Sequence, residues 1–414
     1  MANIHATLTD LFTAIADAIR AKTGSTETIT ADNFPAAIDA ISTGGDIDAL
    51  INRSITEIDS DVSIIGPYAF NTCRYLNSIN LPHVTDVDRW AFSACNFEYV
   101  ELPAAQKLSE KAFAECIYLT TARFPNVTEL GIGVFYGDVR LTTVELPKIT
   151  TLSNSTFYDC TALTTTNFPL VTTIEQNAFS RCKNITEADF PLVTSLGTAV
   201  FSNCTKLATV NFPLATTMSN NLFSGCTSLS SVNAPNATTI SQYAFQNCTS
   251  LPSVTFPLVT NVGNYAFSGC SGLTSLNFPA LTTVGQHTFK GCTGLTTVTL
   301  PVATSTGYRG FQGCTSLVTA DFPVATTVAY QAFDGCTSFK SLILRSETVA
   351  TLANVNAFTS TLIESGTGYI YVPSSLIDTY KGANLWSTYE AQFRALEDYT
   401  VDGTITGALD ETKI

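Results

Sequence analysis

Apolar residues along the centre of the chain keep two periods at once. In Leu273-x-x-Leu276-x-Phe278-Pro279, Leu276 and Phe278 stand two apart, so both point to one face of a short strand. Leu273 enters the core one step earlier, and Pro279 ends the strand because it has no N–H to give to a ladder. Over the longer range the whole unit returns. A Phe anchors each unit, from Phe70 and Phe92 through Phe113 to Phe333, in steps of 22 residues with a single step of 21 between Phe92 and Phe113. A Cys follows each Phe three positions later, except where Asp138 stands, and this uses all 12 cysteines. A Pro keeps the same beat from Pro82 to Pro323.

One such unit cannot bury its apolar side alone, whereas stacked units make a continuous core. The expected fold class is therefore an α/β solenoid: repeats of 22 residues, a parallel β-sheet, and small helical caps at both ends. Thirteen coils follow from the anchors, with a degenerate fourteenth at Phe358 and Tyr369-Ile370-Tyr371-Val372-Pro373. At ~4.8 Å per coil the array is roughly 55–60 Å long.

The pattern Ala-Phe-x-x-Cys-x-x-Leu-x-x-Val-x-Phe-Pro resembles the BspA-like, or Treponema pallidum-type, leucine-rich repeat over about residues 62–345. The resemblance implies a right-handed solenoid with a role in adhesion or binding, and it carries over no catalytic residues. Bacterial surface members of that family usually have export signals. None is expected here, because residues 1–10 have neither a basic stretch nor an apolar one.

Four segments are expected. Residues 1–45 form an N-terminal helical cap or attachment segment, with Leu8, Leu11, Phe12, Ile15 and Ile19 on one helical face and a second short helix over 34–41. Residues 46–346 form the solenoid. Residues 347–398 hold the degenerate coil and a C-terminal helical cap, in which Ser387-x-x-Glu390 reads as a capping box opening a helix through Leu396. Residues 399–414 form a tail with an Asp402-Gly403 turn suited to a hairpin. Residues 8–43 also resemble the start of tail-associated proteins of phages infecting Firmicutes. Residues 371–396 resemble terminal caps in phage-borne members of the repeat family.

The formal net charge of −14 disfavours a nucleic-acid partner, since an acidic chain repels phosphate. The acids sit toward the ends. Between Asp189 and Asp321 there is none, and the bases there are Lys206, Lys290 and Arg309. No run approaches the ~18 apolar residues of a membrane helix.

Candidate chemistry is sparse. Stacked cysteines have parallel Cβ vectors, which suits a ladder of reduced, buried thiols better than disulfides, and their spacing makes no zinc knuckle. His5, His83 and His287 lie far apart in sequence. Gly131-x-Gly133-x-x-x-Gly137 has the wrong spacing for a phosphate loop, and Asp86 and Asp88 read as solvated turn residues. No metal, cofactor or catalytic residue is expected. The outward strand positions, from Ser78 and Asn80 to Ser341 and Ile343, form two ladders of mostly small polar residues. They suit solubility, cross-strand hydrogen bonding, or a groove for a sugar or peptide.

The positions two and three before each Phe vary more. They hold Arg89-Trp90 and then, over five consecutive coils, Tyr243, Tyr265, His287, Tyr308 with Arg309, and Tyr330. These six residues from 243 to 330 are expected to face solvent and to form the ligand-binding stripe, because such side chains supply large contact at little entropic cost. Bracing of turns between coils is the structural alternative.

The function expected from these readings is non-enzymatic recognition: a phage tail-associated protein, virion-associated or extracellular, binding a host surface glycan or protein, with residues 1–45 available for attachment. The alternatives are a bacterial surface or secreted adhesin and a glycan-active enzyme.

Overall fold

A computed structural model describes residues 57–59 and 61–399. The expected N-terminal helices and the 402–403 hairpin turn lie outside those residues. Within them the chain winds as a parallel solenoid with three hydrogen-bonded columns. Fifteen strands of three or four residues, from Glu57–Asp59 to Phe393–Ala395, make the first column. Thirteen two-residue strands, from Ile64–Ile65 to Thr351–Leu352, make the second. Every strand pairing is parallel, and in the central coils it joins residues 22 apart, as in Thr209↔Ser231. The turn around each Phe makes the third column. Tyr243, Phe245 and Asn247 donate their N–H groups to Asn264, Ala266 and Ser268 of the next coil at 2.8–3.0 Å.

The third column needs an unusual backbone. The residues two before and two after each Phe have positive φ, as at Tyr243 and Asn247, both at 59°. Left-handed residues on either side of each Phe turn the chain sharply while keeping alternate N–H groups aimed at the next coil. Asn and Gly tolerate that conformation best, and both recur there, as Asn177, Asn221, Gly225 and Gly269.

The anchors fill the interior as a continuous file. Phe245 and Phe267 lie 5.0 Å apart and 2° from parallel, and the file runs from Phe70 to Phe358. Rings at the strand ends meet it at steeper angles, as Phe278 does Phe267, at 65°. Face-to-face stacking along one line and edge contact across it add about 0.5–1.5 kcal/mol per pair beyond burial.

The first column is interrupted four times, and departures from the repeat account for two of the breaks. Pro252 has no N–H for the bond that Ser230 makes to Ala208, and the strands Ser231–Asn233 and Ser253–Thr255 do not pair. Thr166 takes the inward strand position filled by Val, Ala, Leu or Ile elsewhere. Its buried hydroxyl donates to the carbonyl of Glu187 at 3.2 Å, and no strand forms at 165–167. The outward ladders also end early: Ser341 and Ile343 are buried, because the strand Ser341–Leu344 has no exposed face.

The C-terminal cap satisfies the last coil. Ala350 donates its N–H to the Tyr380 hydroxyl at 2.9 Å, and its carbonyl accepts from Trp386 Nε1 at 2.6 Å. Tyr380 projects from the helix Ile377–Gly382. The helix expected from 387 to 396 does not form. A kinked 3-10 segment, Trp386–Gln392, gives way to the strand Phe393–Ala395, which pairs with the sheet through Ile370↔Phe393. Burial of Phe393 against Tyr380 and Trp386 outweighs the local capping signal.

Candidate recognition surface

The structure brings the six stripe residues into one row. Tyr243 and Tyr265 stack at 5.1 Å, Tyr265 and His287 at 4.5 Å, and Tyr308 and Tyr330 at 5.5 Å, all within 22° of parallel. The step between His287 and Tyr308 is edge-on, 5.5 Å and 74°. That change has a cause in sequence. Tyr243, Tyr265 and His287 stand two before their Phe, at the left-handed position, whereas Tyr308 and Tyr330 stand three before it. Arg309 and Gln331 take the left-handed position in those coils, with φ of 49° each. Arg309 lies 5.3 Å from the Tyr308 ring and 6.0 Å from that of Tyr330, and its Nε donates to Gln331 at 2.7 Å.

Stacking decides what the row can offer. A ring held between two parallel neighbours has both faces covered, so it presents its edge and, for Tyr, its hydroxyl. Tyr308 keeps 38% of its surface exposed. His287 does not face solvent as expected: it is buried, 6% exposed, between Tyr265 and Tyr308. Its Nδ1 is buried with no hydrogen-bond partner. Burial, with Lys290 and Arg309 nearby, lowers its pKa and favours the neutral imidazole.

A second row, less evident in sequence, crosses the N-terminal coils. Trp90 stacks on Tyr68 at 6.4 Å, and Lys111 Nζ sits 4.4 Å from the Trp90 ring and 5.4 Å from that of Tyr136. Tyr136 stacks on Tyr158 at 4.9 Å, and Arg181 lies beyond. Arg89-Trp90 stands out in sequence. Lys111 and Tyr136 do not, because they occupy different repeat positions and meet through the length of the lysine chain.

On the sheet face the polar ladder forms a relay. Asn233 Nδ2 donates to Asn211 Oδ1 at 2.6 Å, and Asn211 Nδ2 donates to Asp189 Oδ1 at 2.7 Å. The amides thus point one way and end on a carboxylate, beside Glu187, Thr209 and Ser231 in a shallow depression. Glu145 pairs with Arg123 at 3.0 Å two coils earlier. Asp86 and Asp88 engage their neighbours, with Asp86 accepting from the Thr85 hydroxyl and Asp88 from the Arg89 N–H.

All 12 cysteines are free and buried. Desolvation pushes the Cys226 and Cys270 thiols up to about 12 and raises the rest, which disfavours the nucleophilic thiolate. Among the described residues no group of three or more His, Cys, Asp or Glu side chains could hold a metal ion, and no helix is long and apolar enough to cross a membrane.

The 22-residue beat, the parallel columns and the thiol file coincide with a known family. Residues 50–164, 150–274 and 260–381 match the BspA type leucine-rich repeat region. The chain belongs to this BspA-type leucine-rich repeat family. Among solved structures, it is similar to a leucine-rich repeat protein from Bacteroides ovatus, at 24% identity and a TM-score of 0.54, over 72% of this chain and 84% of that one. A leucine-rich cell surface protein from Faecalibacterium prausnitzii is similar at 19% identity and a TM-score of 0.39, over 74% and 92%. The T. pallidum leucine-rich repeat protein TpLRR is similar at 24% identity and a TM-score of 0.37, over 40% and 81%. A search of curated proteins finds no match. BspA-type repeats are typically non-catalytic, and membership is consistent with a binding or adhesion role.

Proposed function

We propose that this BspA-type solenoid is a non-enzymatic recognition protein whose ligand runs along the stripe Tyr243, Tyr265, Tyr308, Arg309 and Tyr330, with the buried His287 bridging the row beneath it. The observation that carries the reading is the uninterrupted contact of these rings over five coils, within the acid-free stretch between Asp189 and Asp321. Tyr edges in four of five consecutive coils suit an extended partner with its own regular repeat. A host surface glycan, or an extended segment of a host surface protein, has that form. Recognition would use hydroxyl hydrogen bonds and edge contacts, with Arg309 as the one cation within the stripe.

The setting proposed is a phage tail, virion-associated or extracellular, with residues 1–45 as the attachment segment. The resemblance of residues 8–43 and 371–396 to phage-borne proteins supports it. A bacterial surface or secreted adhesin is the second reading, and family membership favours it. Labelled antibody against the chain separates the two, by decorating phage tails in one case and bacterial envelopes in the other.

The binding test is a triple variant, Tyr243→Ala, Tyr265→Ala and Tyr330→Ala, applied to candidate glycans and host cells after circular dichroism confirms the fold. A loss of binding of tenfold or more is expected. Wild-type binding should weaken little as salt rises, because so few charges border the stripe. Binding of the folded triple variant equal to wild type would make the row a brace and nothing else.

A further inference from the structure

Beside the first strand column, the chain carries an apolar ridge that neither the core nor the aromatic row uses. The residue after each repeat Pro points outward. In the coils from 170 to 324 these residues are Leu170, Leu192, Leu214, Leu258, Val302 and Val324, each 38–49% exposed. Asn236 and Ala280 fill the two remaining places. The preceding prolines Pro169, Pro191 and Pro257 are themselves exposed and widen the ridge there, whereas Pro213, Pro301 and Pro323 are half-buried. Single exposed leucines need no explanation, but an aligned file at about 4.8 Å per coil is a contiguous patch. Charged residues bound it. Lys148 holds the equivalent place one coil before Leu170, and past Val324 Arg345 pairs with Asp321 at 2.7 Å.

We infer that this ridge is the contact surface of a two-fold homodimer in which two solenoids lie side by side and antiparallel. Two observations select a second copy of this chain as the occupant. The first is size complementarity. A two-fold axis between the coils of Asn236 and Leu258 sets Leu170 against the second copy's Val324, Leu192 against its Val302, and Leu214 against its Ala280. Three leucines thus meet three smaller side chains, and at the axis the order reverses, with Leu258 against Asn236. In a parallel arrangement leucine would meet leucine and leave gaps further along. An isologous interface must be self-complementary in this sense. The second observation is charge. Two copies of a chain with net charge −14 repel, and the coils from 190 to 320, which supply most of the ridge, hold no acid. Asn236, near the axis, already donates its amide to the Pro213 carbonyl at 2.8 Å, so it enters the contact with a donor satisfied. The dimer would carry two Tyr rows, giving a repetitive ligand two points of attachment.

Light scattering and sedimentation of the full chain from micromolar to submillimolar concentration test the inference. Twice the chain mass is expected at the upper end. Leu192→Lys with Leu214→Lys should run at the mass of one chain throughout, with the circular dichroism and melting temperature of the wild type, because both side chains lie outside the core. The register is tested by oxidation. A chain carrying both Leu192→Cys and Val302→Cys should cross-link into dimers, while either change alone should not, since each residue faces the other's position. A wild-type monomer over the whole range, a lysine variant that still dimerises, or efficient linking by Leu192→Cys alone would overturn it.

Discussion

The thiol of Cys270 donates to the carbonyl oxygen of Phe245, 3.0 Å away in the preceding coil. The same bond links ten further Cys–Phe pairs, from Cys95–Phe70 to Cys336–Phe311. Each of these Phe carbonyls also accepts from an N–H of its own coil, that of Cys248 at Phe245 and that of Asp138 at Phe135. The conserved beat of Phe and Cys thus has a joint cause. The ring fills the interior, and the thiol, a small and weakly polar group, occupies the second lone pair of a carbonyl that water cannot reach.

It follows that the thiols are both reduced and inert. With a thiol-reactive disulfide reagent the native protein should give almost no reaction, and in denaturant close to all twelve cysteines should titrate. Recovery of only a few in denaturant would mean that stacked cysteines had paired. Cys270→Ala should cost about 1–2 kcal/mol, from the lost bond and a small cavity.

Asp138 takes the place of a cysteine and tests the same site with a charge. Its side chain is fully buried; Oδ1 accepts from the Cys116 N–H at 2.8 Å and Oδ2 has no partner. Desolvation, with Glu115 adding repulsion, raises its pKa well above the ordinary value and favours the neutral acid in the folded protein. Because the folded pKa exceeds the unfolded one, the neutral acid's stability is fully present below the unfolded pKa of about 4 and is lost as pH rises toward the folded pKa. Asp138→Asn keeps the acceptor and cannot ionise. Urea midpoints of the two proteins should coincide near pH 4, and the variant should gain steadily above it. Parallel pH profiles would place the carboxyl in contact with water.

The Phe file sets the scale of core energetics. Phe245→Ala should cost about 3–5 kcal/mol through lost transfer energy and a cavity. Hydrogen exchange should accelerate most in the coils of Phe223 and Phe267, because contacts run between neighbouring coils. A loss under about 1 kcal/mol would contradict the packing.

The left-handed positions make a separate prediction. Ala199 has φ of 56°, which costs a side-chain-bearing residue roughly 1–2 kcal/mol. Ala199→Gly should therefore be neutral or stabilising, and Ala199→Val clearly destabilising, in thermal melts. The reverse order would mean that side-chain packing, and not backbone conformation, governs the site.

Most of the architecture was legible because it rests on periodic burial. Phe, Leu and Val repeat where the interior needs them, and Pro repeats where a strand must stop. What escaped was whatever depends on backbone conformation or on neighbours one coil away. The residue two before each Phe varies from Tyr, Trp and His through Arg, Lys, Asn, Gln and Ser to Ala and Gly, which in sequence resembles a recognition surface. In the structure all of them share a left-handed backbone and lie within reach of the next coil, so part of that variation answers to stacking. His287 misled for this reason: its sequence neighbours say nothing of the rings from Tyr265 and Tyr308 that enclose it. The Leu170–Val324 ridge escaped because leucine in a repeat is read as core. The signal was its place directly after Pro, next to an inward residue such as Val171 or Val193, since both cannot face in. At the C-terminus Ser387 and Glu390 gave a sound local signal for a helix, and the sheet overrode it by pairing Phe393.

The bonds between coils join residues about 22 apart and lie along the long axis. A pull on the two ends therefore loads the outermost coil first, and its columns part before the next coil is strained. Each coil released exchanges about 4.8 Å of stacked height for roughly 70 Å of extended chain. Such a molecule lengthens under tension in equal steps and recoils one step at a time.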